Sequence, residues 1–168
     1  MATALFIKTT DIIKKTSMSG SVDSNKFLQF VELAQEIDLQ PLLGTDLYDK
    51  IGNDIVASTL DGDYKELVDE YIKPLLIQLG MVKYLPFAAY AIGNGGIYKH
   101  LPSESDIVPK EEVDYIIQQH RDFASHYSER LVDHLGYHAR TKYPEYYTNN
   151  EDDIHPEDNT IYTTWNIN

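Results

Sequence analysis

The chain has 168 residues, enough for one domain with a buried core, and it has no cysteine, which excludes disulfides and thiolate metal sites. Its 27 acidic and 14 basic residues give a formal net charge of −13. That charge argues against a surface that grips nucleic-acid phosphates or an anionic membrane. Residues 1–15 lack a signal-peptide pattern, and Lys83 and Pro86 interrupt the widest apolar stretch, so neither a signal peptide nor a membrane span is expected.

Residues 1–22 are predicted to form an N-terminal arm. The arm contains a short apolar stretch that includes Phe6, followed by a brief helix over residues 11–16. Small, flexible residues then form a loop before the next apolar pattern begins. Phe6 is therefore a candidate anchor through which the arm contacts another molecule.

A bundle helix is predicted to begin at Asp23 or Ser24, because either side chain can cap it. Its inner face is predicted at apolar positions spaced by three or four residues: Phe27, Phe30, Val31, Ala34 and Ile37. Pro41 disfavours helix at the residue before it, so this helix should end near Leu39. Thr45 is then expected to cap a short helix over residues 46–52.

The central element is predicted to be a core helix over residues 63–96. Its apolar residues widen from one stripe to most of the helix surface, which indicates burial on most sides. Pro74 and Pro86 predict a kink or a break within it. Because glycine accepts the left-handed conformation, the Gly93-Asn94-Gly95-Gly96 sequence is interpreted as the helix C-terminus and turn.

The last long helix is predicted to start after Pro109 and to end near Gly136, or to run on to about Tyr143 before Pro144. Its inner face is predicted at eight positions: Val113, Ile116, Ile117, Phe123, Ala124, Tyr127, Leu131 and Leu135. The predicted fold is thus all-α: a compact bundle of four to five helices over residues 23–143, with extended N- and C-terminal arms.

Residues 144–168 are predicted to form an acidic C-terminal arm. From residue 145 onward the arm has six acidic residues and no Lys or Arg, and its end is rich in β-branched and aromatic residues. Such a segment can add to a neighbouring molecule's sheet or groove, or it can fold back onto its own domain, and the sequence leaves both open. For the first case the candidate anchors are Tyr162, Trp165 and Ile167, since large aromatic residues dominate interface hot spots.

No catalytic pattern is found, so the chain is not expected to be an enzyme or to hold a cofactor or metal. His134 and His138 lie one helical turn apart, as two metal ligands would, but the His-Glu-x-x-His and paired Glu-x-x-His patterns are absent. His120 falls within the apolar stripe, where a hydrogen-bonded core histidine is the simpler interpretation. The glycine cluster near residue 95 lacks the Lys-Ser or Lys-Thr of a phosphate loop.

The stretch Phe30-Val31-Glu32-Leu33-Ala34-Gln35-Glu36-Ile37-Asp38-Leu39-Gln40-Pro41-Leu42-Leu43-Gly44-Thr45-Asp46-Leu47-Tyr48 is the most distinctive part of the sequence. With Tyr71-Ile72-Lys73-Pro74, Tyr84 and the glycine cluster, it resembles small helical structural proteins of tailed bacteriophages that infect Bacteroidetes-type hosts. These are similar to the head-tail connector (adaptor) family, which includes the ring proteins of crAss-like phages. The positions that carry the resemblance are Ala34, Gln35, Asp38, Leu39, Pro41, Gly44 and Tyr48.

The resemblance implies a non-enzymatic virion protein at the head-tail junction, assembled in the host cytoplasm. Members of that family form rings under the portal, commonly dodecamers. The implied partners are copies of the same chain, the portal protein, other tail or connector proteins, and DNA that passes without sequence-specific binding. An acidic channel wall would repel that DNA and let it slide.

Two other functions remain open from the sequence alone. The acidic surface is also typical of a binding module that captures a basic partner, which predicts a monomer or dimer and strongly salt-sensitive binding. The histidine-bearing helix leaves a His-ligated metalloprotein as a weaker alternative.

Overall fold

The structure, a computed structural model, describes residues 4–15, 24–88, 90–93, 96–99, 109–148 and 153–156. Its elements, in chain order, are α1 (Thr9–Lys15), α2 (Ser24–Ala34), a π segment (Gln35–Leu39), α3 (Gln40–Leu43), α4 (Thr45–Ala57), α5 (Gly62–Leu67), a second π segment (Val68–Ile72), α6 (Lys73–Tyr84), a 3₁₀ turn (Leu85–Phe87), β1 (Tyr90–Gly93), β2 (Gly96–Lys99), α7 (Lys110–Lys142) and α8 (Pro144–Thr148). The fold is an all-α compact bundle, as predicted. In the described ranges it consists of four long and two short continuous helices, since each π segment joins its flanking helices without a break.

The bundle is organised around α6, which packs along α2 on one side and along α7 on the other. α6 is apolar on most sides, and its buried residues include Leu75, Leu76 and Ile77. Gly80 allows the close approach of α2, because a Cβ at this position would lie 2.9 Å from a methyl group of Val31. The prediction of a central helix is therefore confirmed for the part of the chain up to Tyr84.

Two of the prolines within helices follow a π segment. Pro41 and Pro74 each lie two residues after the end of one, and the residue before each proline donates its backbone N–H to the carbonyl five residues back. The wider turn makes room for the proline ring, which would otherwise clash with the preceding turn. The prediction that the helix ends near Leu39 is therefore wrong, because the helix continues through Pro41 to Leu43.

The first π segment also changes which residues face the core. Its extra residue rotates the following positions, so Gln35 and Leu39 are buried while Ile37, predicted to be buried, is 55% exposed.

The prediction of helix through Ile92 is wrong, because residues 90–93 and 96–99 form two paired β-strands. β1 and β2 are antiparallel, with Tyr90 opposite Lys99 and Gly93 opposite Gly96. Two residues, Asn94 and Gly95, separate the strands, and Asn-Gly is the strongest short hairpin signal in a sequence. The glycine cluster therefore connects two strands and does not end a helix.

α7 runs on to Lys142, which confirms the longer of the two predicted ends. Its buried residues include Ile117, Ala124, Leu131 and Leu135, as predicted. Ile116 and Phe123, also predicted to be buried, are exposed.

The ends of the predicted bundle and arms differ from the sequence-based boundaries. Tyr143 is fully buried, and α8 buries Tyr146, so the packed domain continues past residue 143. Glu145 on α8 accepts a hydrogen bond of 2.7 Å from the Tyr64 hydroxyl of α5. None of the helices in the described ranges is both long and apolar enough to cross a membrane.

Candidate interaction surface

One side of α7 carries a row of exposed side chains spaced seven residues apart, which we call the α7 stripe: Ile116, Phe123, Arg130 and Tyr137. Ile116, Phe123 and Tyr137 are 42%, 51% and 85% exposed. Between them lies an inner row, His120, Tyr127 and His134, whose side chains are half-buried. The two rows together alternate in steps of four and three residues, the pattern with which one helix packs along another.

The inner row of α7 is held by contacts within the bundle. The Nδ1 atom of His120 lies 2.7 Å from Oε1 of Gln78 on α6, and burial lowers the pKa of His120. Tyr127 packs against the core. His120 forms a hydrogen bond within the bundle, as the sequence interpretation expects, although its side chain is half-buried and not part of the core. The inner row fixes the orientation of the exposed stripe beside it.

His134 is enclosed by rings. Its imidazole stacks on Tyr71 at 4.1 Å between ring centroids, and the ring of His138 lies 4.7 Å away. The Tyr143 hydroxyl donates to the Asp63 carbonyl at 3.1 Å, so it accepts a hydrogen bond from Nε2–H of His134 at 3.2 Å. His134 is thus occupied by ring contacts and one hydrogen bond.

A cleft of about 430 Å³ opens beside these rings. It is lined by Tyr71, His126, Glu129, Arg130, Asp133, His134, Tyr137 and His138. The Arg130 guanidinium lies 4.7 Å from the Tyr71 ring centroid, a cation–π contact. In the ranges that the structure describes, no group of three His, Asp or Glu side chains is placed to hold a metal ion.

Acid is expected to destabilise the fold through His134. Its pKa is lowered from 6.5, first by burial and then by the positive charges of His138, Lys142 and Arg130, with Glu66 opposing. The folded state favours the neutral ring. The contribution of His134 to stability is therefore fully present above pH 6.5 and is lost as the pH falls through the lowered pKa.

His134→Phe keeps a ring on Tyr71 but has no proton to gain, so its melting temperature should fall less than that of the wild type between pH 8 and pH 5. Thermal melts at both pH values measure this. The comparison at pH 8 is the control, since it reports only the lost hydrogen bond to Tyr143. Equal losses in the two proteins would show that His134 does not carry the acid sensitivity.

The motif that carries the phage-protein resemblance is mostly buried, and its centre is Gln35. Gln35 is fully buried, and its Oε1 accepts the backbone N–H of Phe6 at 2.9 Å. Its Nε2 donates to the Ala4 carbonyl at 2.7 Å and to the Tyr48 hydroxyl at 2.9 Å. Gln35 and Tyr48 together clamp the N-terminal segment onto the bundle, so this part of the motif is structural.

The other motif residues shape the same region. Ala34 and Leu39 are buried in the core, and Asp38 forms a salt bridge of 2.9 Å with Lys83 of α6. Gly44 has φ 73°, a value that favours glycine, and joins α3 to α4 across a sharp turn after Pro41.

Phe6 is not an exposed anchor. It is 3% exposed, and its ring centroid lies 5.1 Å from that of Tyr48. Because the clamp on Gln35 holds the neighbouring backbone, Phe6 is part of the chain's own core. The other three predicted anchors, Tyr162, Trp165 and Ile167, lie outside the described residues.

Residues 153–156 of the predicted C-terminal arm fold back onto the start of α4. Thr45 donates its backbone N–H to the Ile154 carbonyl at 2.9 Å, and its Oγ1 accepts the Ile154 N–H at 3.1 Å. The hydroxyl also donates to Asp153 at 3.2 Å. Thr45 therefore holds the tail and does not cap α4, which begins after Gly44 without a side-chain cap.

Burial and the nearby charges of Asp153 and Asp46 raise the pKa of Asp49.

Residues 39–155 match the sequence model of a family described as "Family of unknown function (DUF6712)". The match covers more than half of the chain. The chain belongs to the DUF6712 family. No curated protein and no solved structure matches it.

The DUF6712 match begins at Leu39 and includes all of α7, so the α7 stripe and the inner row lie inside the family region. Gln35 and α2 lie before it. The stripe was missed from the sequence because Ile116 and Phe123 were assigned to the core. The four-three spacing from Ile116 to Tyr137 is the signal that could have indicated a second face on this helix.

Proposed function

We propose that this DUF6712 protein is a structural virion protein: a subunit of a head-tail connector ring that joins the portal to the tail and lines the DNA channel. The observation that carries the proposal is the α7 stripe, a long exposed row of apolar and aromatic side chains on a strongly acidic protein. Aromatic residues and arginine are enriched in protein–protein interfaces and in their hot spots.

The resemblance of residues 30–48 to head-tail connector proteins supports the same role. In that family the chain binds its own copies laterally and the portal and tail proteins axially, commonly as a dodecamer. The net charge of −13 suits a channel subunit because a negative wall repels the DNA backbone. The location that follows is the virion, at the head-tail junction, after assembly in the host cytoplasm.

Phe123→Ser is expected to weaken assembly without unfolding the subunit, because the Phe123 side chain is half-exposed and lies in the stripe. Mass photometry of the wild type should give one large oligomer mass, and the variant should move towards the subunit mass. Tyr147→Ser is the matched control: it removes a half-exposed aromatic side chain from α8, outside the stripe.

Equal oligomer masses for wild type and Phe123→Ser would show that the α7 stripe does not form the contact between subunits. A wild-type protein that stays at the subunit mass and binds basic partners in a salt-sensitive way would favour the binding-module alternative.

A further inference from the structure

The hairpin formed by β1 and β2 has two edges that are open to a further strand. The two strands form a two-stranded sheet, and in the part of the chain that the structure describes neither of them pairs with a third. Their contacts with described elements are mainly with each other. Because a two-stranded hairpin alone is at most marginally stable in water, this one is suited to gain a third strand.

The backbone of each strand presents hydrogen-bonding groups at its outer edge. The two-residue loop makes Gly93 and Gly96 a hydrogen-bonded pair, so the next pair, Ile92 and Ile97, is not hydrogen-bonded across the hairpin. The N–H and C=O groups of Ile92 and Ile97 therefore point outward, one residue on each edge. Either edge can pair with an extended segment through its main chain, as in β-strand addition.

Residues 161–167 of the C-terminal arm have the composition of such a segment. Their sequence, Ile-Tyr-Thr-Thr-Trp-Asn-Ile, is rich in β-branched and aromatic residues and has no charge, proline or glycine. An acidic spacer, residues 157–160, precedes them. The contacts of Thr45 with Asp153 and Ile154 hold the described residues before this spacer on α4. The chain thus combines a strand acceptor in its fold with a strand donor in its sequence.

The hairpin of the same chain lies far from the point where the arm is held. Phe87 precedes β1 and stacks on Phe30 with ring centroids 5.5 Å apart, whereas Thr45 follows the far end of the same continuous helix. From Phe30 to the end of α3 this helix extends about 20 Å at roughly 1.5 Å per residue. The chain from Ile154 to Ile161 reaches at most about 25 Å, so it would have to run almost straight to its own hairpin. A neighbouring subunit can bring its hairpin to the arm without this constraint.

We infer that residues 161–167 of one subunit add as a third strand to an open edge of the β1–β2 hairpin of a second copy. This inference rests on the proposed function and identifies one contact between neighbouring subunits. Because the donor and the acceptor are different parts of the chain, the contact is heterologous, and its repetition by a closing rotation forms a ring.

Cross-linking of single-cysteine chains tests this contact, because the chain has no native cysteine. Asn166→Cys places a thiol in the arm and Lys99→Cys places one in β2. The two full-length variants are mixed and treated with a bismaleimide that spans about 10 Å, the width of two strand spacings, so that either edge is within reach. The mixture should give a cross-linked dimer well above the level from Asn166→Cys mixed with Val56→Cys. Val56 is an exposed residue on α4 and serves as the control.

Proline substitutions in the arm test whether the cross-link depends on strand pairing. Thr163→Pro and Thr164→Pro are introduced together into the Asn166→Cys chain and should abolish the dimer. Adjacent strand residues direct their N–H groups to opposite edges, so one of the two prolines removes a donor that faces the hairpin in any register. Asp158→Pro and Asn159→Pro, made together in the spacer, form the matched control and should leave the dimer.

No dimer above the Val56→Cys level would overturn the inference, and so would a dimer that survives the paired prolines at residues 163 and 164. A chain that carries both Asn166→Cys and Lys99→Cys should give a ladder of linked subunits. If this chain instead loses both free thiols at the mass of one subunit, the arm pairs within its own chain and the inference is wrong. The mass of the wild-type particle judges the proposed function separately, so a ring without this cross-link would refute the contact and leave the ring.

Discussion

Gln35→Ala is expected to lower the free energy of unfolding by about 3–5 kcal/mol. The substitution removes three hydrogen bonds at once and leaves the Phe6 N–H, the Ala4 carbonyl and the Tyr48 hydroxyl without their partner. Each unpaired buried group costs about 1–3 kcal/mol, less where detachment of the N-terminal segment returns it to water.

Urea denaturation of Gln35→Ala measures this loss, and tryptic cleavage after Lys8 reports release of the N-terminal segment. Gln29→Ala is the matched control, because Gln29 lies on the same helix with an exposed side chain and should change stability by less than about 0.5 kcal/mol. A loss below about 1 kcal/mol in Gln35→Ala, with unchanged cleavage, would contradict the clamp.

Gly80→Ala is expected to destabilise the protein by about 1–2 kcal/mol although alanine is the better helix former. The new Cβ would lie 2.9 Å from Val31 and 3.0 Å from the Phe27 ring, closer than packed carbon atoms allow. Both neighbours are fully buried on α2, so they cannot move aside without disturbing the core. The cost of this steric overlap therefore exceeds the stabilisation of about 1 kcal/mol that alanine gives over glycine within a helix.

Gly136→Ala provides the opposite result on α7, because a Cβ added at this position would have open space around it, with no neighbouring group within 4 Å. Here only the helix propensity changes, so the free energy of unfolding should rise by about 0.5–1 kcal/mol. Chemical denaturation of both variants measures whether Gly80→Ala is destabilised and Gly136→Ala stabilised. Stabilisation by Gly80→Ala would mean that α2 does not pack on α6 at this distance.

The helical core was predictable because its apolar spacing is long and regular. Leu75 and Leu76 in α6 and Leu131 and Leu135 in α7 are buried as their periodicity predicts. The exceptions have local causes. The sequence Leu39-Gln40-Pro41-Leu42-Leu43 has a counterpart in Ile72-Lys73-Pro74-Leu75-Leu76, and in both a π segment admits the proline without ending the helix. Proline alone does not show whether such a wide turn precedes it.

The hairpin was missed for a different reason. Residues 88–92 are apolar and continue the composition of α6, so composition alone favours helix, whereas the Asn-Gly pair with four strand residues on each side indicates a turn between strands. Short apolar runs are ambiguous between helix and strand, and the turn residues decide between the two.

The interaction surface was only partly predictable. The distinctive stretch from Phe30 to Tyr48 was identified, but the structure uses Gln35 and Tyr48 to hold the chain's own N-terminus. Ile116 and Phe123 were recognised as apolar helix positions, but one helix turn offers several faces, and only packing shows that Ile117 and Ala124 face the core instead. Periodicity indicates that a face exists and leaves open which neighbour covers it.

The proposed role requires the chain to assemble with copies of itself into a closed ring. Negative-stain electron microscopy of the purified wild-type protein tests this requirement most directly. We expect annular particles of a single diameter with a central channel, formed from many copies of the chain. Particles of single-subunit size at every protein concentration would contradict the proposed role.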